Sequence, residues 1–210
     1  MKIILASASP RRARLFSQMN LAFETDPSGI TEVVDPNLHP SDTVMSLAAQ
    51  KGQDVAKRHT DALVVAADTI VVVDGAILGK PASSREAANM LESLSGRSHD
   101  VFSGVWIARL GQNGTVSSVI SFFERTKVTF SSLTQQEIDF YVETGSPMDK
   151  AGAYGIQDDL GALFIREISG DYYNVVGFPM NAFYQNLKKE MPDVHKEIFL
   201  HLTEPEKAGK

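Results

Sequence analysis

A long apolar run at residues 63–73, interrupted by Asp68, is the sequence feature that most limits how this chain can fold. Valine, isoleucine and alanine dominate the run, and no helical periodicity separates them into faces. This pattern predicts a strand that is buried on both sides. Such a strand needs other layers of structure above and below it, which favours an α/β architecture.

The rest of the chain alternates between strand and helix patterns. Strands are predicted at residues 3–6, 101–110, 116–130 and 162–168, with a hairpin turn at Asn113-Gly114 between the two longest. Helices are predicted at residues 12–19, 41–59, 84–94 and 135–144, and a C-terminal helix is predicted to begin with Pro179 as its first residue, while residues 25–40 and 146–159 have loop composition. We therefore predict an α/β fold with an elongated mixed sheet and flanking helices. We see no repeat or linker, so residues 1–202 form one predicted domain and residues 203–210 a flexible tail.

The overall charge and composition exclude several classes of function. The chain has 210 residues, a net charge of −6 and no cysteine. The acidic balance argues against a broad basic surface for nucleic acid, and the lack of cysteine excludes disulfides and thiolate metal sites. The apolar run at residues 3–6 is too short for a signal peptide or membrane span. We expect a cytoplasmic protein with no nucleic-acid or membrane partner, in which any anionic ligand is held by a local group of cations.

Asp68 is the residue that is hardest to explain by folding alone. An isolated ionised carboxylate in a buried strand would cost on the order of tens of kcal/mol by idealised solvation arguments. Asp68 must therefore be paired or bound to a metal. One interpretation is a structural aspartate that accepts backbone hydrogen bonds at a bulge. We favour the other, a carboxylate in a cleft that holds a metal or activates water.

Four cations complete a candidate site. Lys51 falls on the apolar stripe of the second predicted helix, where it either extends outward to solvent or points into a cleft. Arg11 and Arg12 follow the small-residue turn that begins at Ser7, at the start of the first helix. That turn is either a solvated helix start or an anion site, in which helix N–H groups and arginines hold phosphate.

Lys80 lies in a Gly-Lys-Pro turn that lacks the spacing and hydroxyl of a P-loop. Glu32 is the other carboxylate candidate, although its loop position is unremarkable by itself, and His99 is interpreted as a loop or core residue. Cations combined with two carboxylates suit metal-assisted phosphoryl chemistry, in which positioning and charge stabilisation dominate.

Taken together, these segments resemble the Maf family of nucleoside triphosphate pyrophosphatases from Ile3 to about Pro179. Six motifs in order carry the resemblance: ASASPRR at residues 6–12, ADT at 67–69, LGKP at 78–81, SGRSHDV at 95–101, DKAGAYGIQ at 149–157 and GDYYNVVG at 170–177. The departures are small: Phe178 stands where leucine is usual, and a short tail follows the last helix.

The resemblance implies two lobes around a deep cleft, as in inosine triphosphatase-like folds, and cleavage between the α- and β-phosphates. It implies a divalent cation (Mg, Mn or Co) held by Asp68 and Glu32, with one of these two carboxylates as the base. Lys80 joins them in the catalytic set. The residues implied to bind the nucleoside triphosphate are Ser7, Arg11, Arg12, Lys51, Thr69, Lys80 and Gln157. Family members are often dimeric, so a homodimer is a further expectation.

Three positions indicate the branch of the family. Arg11, Thr69 and Gln157 match the branch that hydrolyses dTTP and UTP, and a glutamine amide can both donate to and accept from a pyrimidine edge. We therefore expect dTTP and UTP as substrates, with modified pyrimidine nucleotides as further candidates, and we expect Arg11 to help select the base. The alternatives are the sister activity on 7-methyl-GTP and a nucleotide-binding regulator of septum formation with little catalysis.

Overall fold

The apolar run forms a strand of a mixed sheet that is buried along nearly its whole length. In the computed structural model, which describes residues 1–157 and 160–199, the sheet has the order β2-β1-β3-β5-β6-β7, and β4 pairs with β3. Its strands are β1 (Lys2–Leu5), β2 (Glu24–Thr25), β3 (Ala62–Val73), β4 (Ala76–Leu78), β5 (Ser98–Leu110), β6 (Val116–Phe130) and β7 (Ile165–Ser169). β1 is parallel to β2 and β3, and the remaining pairs are antiparallel.

Seven helices flank the sheet in the described parts of the chain. They are α1 (Pro10–Gln18), α2 (Pro40–Ala56), α3 (Ser84–Leu94), α4 (Gln135–Glu143), α5 (Tyr172–Val176), α6 (Met180–Glu190) and α7 (Pro192–Ile198). Short 3₁₀ turns occur at Ser146–Asp149, Ala151–Ala153 and Gly161–Phe164. No helix within these described ranges combines the length and apolar character needed to cross a bilayer.

Side chains of β3 alternate between two separately packed faces, because successive strand residues point to opposite sides. On one face, Leu63 and Val65 pack with residues of α1, α6 and α7, and further along the same face Val71 and Val73 pack with α3 and α4. On the other face, Val64 and Ala66 pack against α2. The first face of β3 therefore packs against two hydrophobic cores in succession, one that includes α1, α6 and α7 and one that includes α3 and α4.

Local sequence signals account for most helix boundaries. Ser83 and Thr134 cap α3 and α4 as predicted, and Thr134 forms a full capping box with Glu137. The start of α2 differs from prediction: His39 is the N-cap and Ser41 lies inside the first turn. Pro40 explains the shift, because proline is well suited to the first helical position.

Three differences concern the C-terminal region. The predicted strand at residues 162–168 starts later, at Ile165, after a 3₁₀ turn. The short helix α5 was not predicted. The last helix begins at Met180, with Pro179 as its N-cap rather than its first residue, and is divided by Pro192 into α6 and α7. Because proline has no backbone N–H group, it begins a new helix more readily than it continues one. The predicted tail at residues 203–210 lies outside the described residues.

Candidate active site

Asp68 of β3 and Lys51 of α2 form an ion pair. Lys51 Nζ lies 2.5 Å from Oδ1 of Asp68 and 3.0 Å from Oε1 of Glu32. The side chains of Asp68 and Lys51 are only 13% and 17% exposed, so the pair is mostly shielded from water. The prediction that Asp68 must be paired is confirmed, and the Lys51 ammonium points to the carboxylate rather than to bulk solvent.

Two glycines that the sequence analysis did not single out allow α2 to lie close to β5. A Cβ atom at Gly104 would collide with the backbone of Val44 in α2, and one at Gly52 would collide with the ring of Trp106 in β5. Glycine in the interior of a strand is a signal for close backbone approach. This close packing brings Lys51, the neighbour of Gly52, to the level of Asp68, whose strand partner is Gly104.

The Arg12 guanidinium is held by three oxygen acceptors. Nε donates to the carbonyl of Gly177 at 2.8 Å, Nη2 donates to Thr69 Oγ1 at 3.1 Å and Nη1 donates to Ser7 Oγ at 3.4 Å. Burial lowers the pKa of Arg12, and the negative charge of Asp68 opposes that effect. An arginine remains charged under such conditions, so the cleft contains a fixed and partly desolvated cation.

The turn at the start of α1 is organised by its serines. Ser9 is the N-cap of α1, and its backbone N–H donates to Ser7 Oγ at 3.1 Å. Pro10 occupies the first helical position, as expected from its fixed φ angle. Ser7 thus links the turn to Arg12, and the N-terminus of α1 opens on the cleft.

Arg11 forms a contact across the cleft that the sequence did not predict. Its Nη1 lies 2.8 Å from Oδ2 of Asp149, and Lys150 Nζ lies 2.6 Å from Oδ1 of the same carboxylate. Burial raises the pKa of Asp149, but the hydrogen bond from Lys150 and the charge of Arg11 outweigh it, so the pKa is below its usual value. Asp149 begins the fifth family motif, which was the available signal for its importance.

The cleft consists of two adjoining cavities. The larger has a volume of about 450 Å³ and includes Tyr154 and Gln157 in its lining, whereas the smaller, of about 400 Å³, is lined by the Ser7–Arg12 turn. These volumes are in the usual range of small-molecule sites. Every site residue predicted from the sequence lines one or both cavities: Ser7, Arg11, Arg12, Glu32, Lys51, Asp68, Thr69, Lys80 and Gln157.

Four cations lie where the two cavities meet. The residues that line both include Arg11, Arg12, Lys51 and Lys80, together with the carboxylates Glu32 and Asp149. Lys80 is exposed and follows β4, the second strand of the β3–β4 hairpin. This arrangement differs from the strand, loop and helix of a P-loop. The chain therefore has a local group of cations although its overall charge is negative. Such a group is what an anionic ligand would need for binding.

Glu32 and Asp68 supply oxygen atoms of the kind that a divalent cation binds. Within residues 1–157 and 160–199, no three His, Cys, Asp or Glu side chains are grouped as a complete metal site. Glu32 and Asp68 nevertheless both lie within 3.0 Å of one cationic atom, Lys51 Nζ. Magnesium is commonly held by one or two carboxylates, with water and substrate phosphates as the other ligands.

His99 is a buried residue of β5, which confirms its interpretation as a core histidine. Its Nε2 lies 2.8 Å from the hydroxyl of Tyr154, a residue that lines the larger cavity. Burial lowers the pKa of His99 from 6.5 to about 4. The imidazole is therefore neutral near pH 7 and supports the cleft wall without adding charge.

Comparison with known proteins agrees with these features. The sequence profile of the family described as Maf-like protein matches residues 2–190. A dTTP/UTP pyrophosphatase of Halalkalibacterium halodurans is 52% identical over 186 residues, which cover 89% of this chain and 94% of that protein. A dTTP/UTP pyrophosphatase of Bacillus mycoides is 47% identical over 193 residues, which cover 92% and 97% of the two chains.

A solved structure supports the architecture. The Ham1 protein of Staphylococcus aureus matches with a TM-score of 0.50 and 14% identity, covering 90% of this chain and 100% of that one. At this identity the similarity concerns the fold alone, and it confirms the predicted α/β class. With the family profile spanning nearly the whole sequence, this chain belongs to the Maf family.

Proposed function

We propose that this chain is a nucleoside triphosphate pyrophosphatase that converts dTTP and UTP to the monophosphate and pyrophosphate. The observation that carries the proposal is the position of Asp68, a buried carboxylate that lines the larger cavity and contacts Lys51, one of the four cations at the junction of the two cavities. The names of the two bacterial relatives, which are about half identical over most of their length, support the same reaction.

The two cavities suggest how the substrate lies. We place the nucleoside in the larger cavity, where Gln157 and Tyr154 contribute to the lining, and the terminal phosphates against the turn at Ser7. The α-phosphate then lies at the junction, close to Asp68. In this orientation pyrophosphate leaves through the smaller cavity.

The residues of the site have different roles in the proposed reaction. Asp68 accepts a proton from the water whose oxygen attacks the α-phosphorus, while the bond from that phosphorus to the bridging oxygen breaks. Glu32 is the alternative base, since both carboxylates contact Lys51. Arg12, Lys51 and Lys80 stabilise the charge that develops on the phosphate oxygens. A divalent cation (Mg, Mn or Co) held by Asp68 and Glu32 would supply further charge neutralisation.

Base selection rests on the residues of the larger cavity. A glutamine amide matches the donor and acceptor groups of uracil or thymine, so we assign that contact to Gln157. Arg11 is the second candidate, and its bond to Asp149 fixes its direction across the cleft. We assign Thr69 to the phosphate side of the substrate, because its hydroxyl contacts Arg12.

Two wider properties belong to the same proposal. The family resemblance supports a homodimer. The lack of cysteine suits a cytoplasmic enzyme, and the acidic balance of the chain argues against a nucleic-acid partner. Sedimentation of the purified full chain tests the first, since a monomer at micromolar concentration would contradict it. Fractionation of the cells that express the protein tests the second.

A substrate panel tests the activity directly. Pyrophosphate release is measured for dTTP, UTP, CTP, ATP, GTP and 7-methyl-GTP, each with magnesium, manganese or cobalt and with EDTA as the metal-free control. We expect kcat/KM to be at least about tenfold higher for dTTP and UTP, a difference that one well-placed hydrogen bond supplies. A preference for 7-methyl-GTP would overturn the assignment of Gln157 to a pyrimidine.

The position of bond cleavage is tested with isotopically labelled water. Attack at the α-phosphorus in ¹⁸O-water places the label in the monophosphate, and label in pyrophosphate would contradict the mechanism. A cellular comparison then addresses the septum hypothesis. If the protein acted only as a regulator, Asp68→Asn would retain its full cellular effect although it cannot turn over substrate.

A further inference from the structure

We propose that Ser103 is a positioning residue that orients Arg12 through the hydroxyl of Thr69, an inference that rests on the phosphate-binding role proposed for Arg12. Ser103 lies in β5 and is fully buried. It was not identified from the sequence, where a serine inside a long strand has no distinguishing pattern. Its contacts place it at the second step of a hydrogen-bonded chain that begins at the guanidinium.

The chain has three consecutive contacts. Arg12 Nη2 lies 3.1 Å from Thr69 Oγ1, and Thr69 Oγ1 lies 2.8 Å from Ser103 Oγ. Ser103 Oγ in turn lies 3.2 Å from the backbone carbonyl oxygen of Asn174. The first two distances lie within the usual ranges for N–H···O and O–H···O hydrogen bonds, and the third is slightly longer than the usual O–H···O range.

The two ends of the chain limit the direction of its protons, because a guanidinium can only donate and a carbonyl can only accept. We assign the proton of Ser103 to the Asn174 carbonyl, so that the Ser103 oxygen accepts the proton of Thr69, whose oxygen accepts from Arg12. The Gly177 carbonyl is the other acceptor near Thr69, but at 3.4 Å it is the longer contact. Aligned hydroxyl groups of this kind polarise one another and strengthen the bond to the cation.

The far end of the chain is held firmly. Asn174 is fully buried in α5, and its Nδ2 donates to the carbonyl of Val101 and to Thr126 Oγ1, each at 3.0 Å. These contacts tie α5 to β5 and β6. The Asn174 carbonyl that receives the Ser103 proton is therefore a fixed acceptor.

The guanidinium is consequently fixed at two points by one segment of the chain. Nε donates directly to the carbonyl of Gly177, the residue that follows α5, and Nη2 is linked to Asn174 of α5 through Thr69 and Ser103. Two-point fixing sets the plane of a guanidinium as well as its position. The plane matters because arginine binds phosphate as a flat two-pronged donor.

The test compares Ser103→Ala with Ser98→Ala, a control at an exposed serine of the same strand. Ser98 also forms a hydroxyl–hydroxyl contact, at 2.9 Å with Thr129, between β5 and β6. We expect Ser103→Ala to lower kcat/KM for dTTP about three- to tenfold, the loss of one hydrogen bond. Ser98→Ala should leave kcat/KM unchanged. Equal activity of Ser103→Ala and the wild-type protein would overturn the proposal.

A double-mutant cycle separates positioning from a general structural effect. If Ser103 acts through the arginine fork, Ser103→Ala should cause no further loss in an Arg12→Lys background. An equal additional loss in that background would show that Ser103 acts elsewhere, and would overturn the proposal. If Ser103→Ala does not fold, Ser103→Cys, which keeps an atom at the position but is a weak donor, is held to the same criteria.

A readout without catalysis distinguishes this inference from the proposed function. In protein labelled with ¹⁵N-arginine, the Arg12 signals are assigned by their loss in Arg12→Lys. We expect separate terminal nitrogen signals in the wild-type protein, because rotation of the guanidinium is restricted, and merged signals in Ser103→Ala. Unchanged signals in Ser103→Ala would overturn the positioning role even if dTTP is hydrolysed. If no nucleotide is hydrolysed, the proposed function fails while this measurement still decides the role of Ser103.

Discussion

The Lys51 ammonium bridges the carboxylates of Asp68 and Glu32, at 2.5 Å and 3.0 Å respectively. One cation thus stabilises a buried carboxylate on β3 and an exposed one on the loop before α2. A bound triphosphate would add a third anionic partner at the same point. Lys51 therefore contributes both to the stability of the free protein and to the binding of its proposed substrate.

Asp68→Asn should remove turnover and preserve binding. The amide keeps the size of the side chain but cannot accept the proton of water, so we expect kcat for dTTP to fall about 10²- to 10⁴-fold. The affinity for a non-hydrolysable dTTP analogue, measured by calorimetry, should change little. The control is Asp74→Asn, at an exposed left-handed position that asparagine tolerates. Wild-type turnover by Asp68→Asn would transfer the role of base to Glu32.

Lys51→Met should destabilise the fold and weaken nucleotide binding. The substitution leaves Asp68 without its closest cation, and we expect a loss of about 2 kcal/mol in the free energy of unfolding, less than for a fully buried pair because some solvent reaches it. Combining Lys51→Met with Asp68→Asn should restore part of that loss in denaturant titrations. If the double variant is less stable than Lys51→Met alone, the ion pair is not the cause.

Gly104→Ala should separate α2 from the sheet. A methyl group at this position collides with the backbone of Val44, which cannot move independently of its helix. We expect a loss of about 3 kcal/mol in stability and a fall in kcat/KM, because Lys51 moves away from Asp68. Gly29→Ala is the control, since no atom lies within 4 Å of its added carbon. Full stability of Gly104→Ala would contradict the tight packing.

His99 should make the protein less stable in mild acid. Burial lowers its pKa from 6.5 to about 4, so the unfolded chain binds a proton more readily than the folded chain. The contribution to stability is complete above about pH 6.5 and decreases as the pH falls toward 4. Between about pH 7.5 and 5 we expect a loss of about 2 kcal/mol. Urea titrations of His99→Gln should show a smaller loss, and an equal loss would assign the effect to other groups.

Gln157→Leu should reduce discrimination between bases. Leucine keeps the approximate volume but neither donates nor accepts, so we expect kcat/KM for dTTP and UTP to fall about 10- to 100-fold. The kcat/KM values for poor substrates should change less. The ratio of kcat/KM between good and poor substrates in the panel should therefore decrease. Gln135→Leu, at an exposed position of α4, is the control. A uniform loss for all nucleotides would indicate a structural role for Gln157.

Much of the fold was predictable because local patterns report burial and capping. The apolar run of β3, the hairpin between β5 and β6 and the caps at Ser83 and Thr134 all have signals within a few residues. The helix α5 was missed because its five residues are too few to show a helical period. The start of α2 was placed late because histidine is an unusual N-cap.

The site was predictable in its chemistry but not in its contacts. A carboxylate in an apolar strand and a lysine on an apolar helix face are charged residues at positions where burial is expected. Such residues can be recognised from the sequence pattern alone. Asp149 as the partner of Arg11 has no such signal, because the two residues are separated by 138 positions and each is ordinary in its own segment. Ser103 was missed for a similar reason, since its role depends on contacts with Thr69 and Asn174.

The sequence by itself therefore determined the α/β class, the main helices and strands, the family and the types of side chain that the cleft contains. Only the tertiary structure decided which of these side chains touch: Lys51 with Asp68 and Glu32, and Arg12 with Ser7 and Thr69. The physical reason is that burial and capping are local preferences of the chain. Contacts between distant residues depend instead on the register of β3 with β5 and on the close approach of α2 to β5, which Gly104 and Gly52 permit.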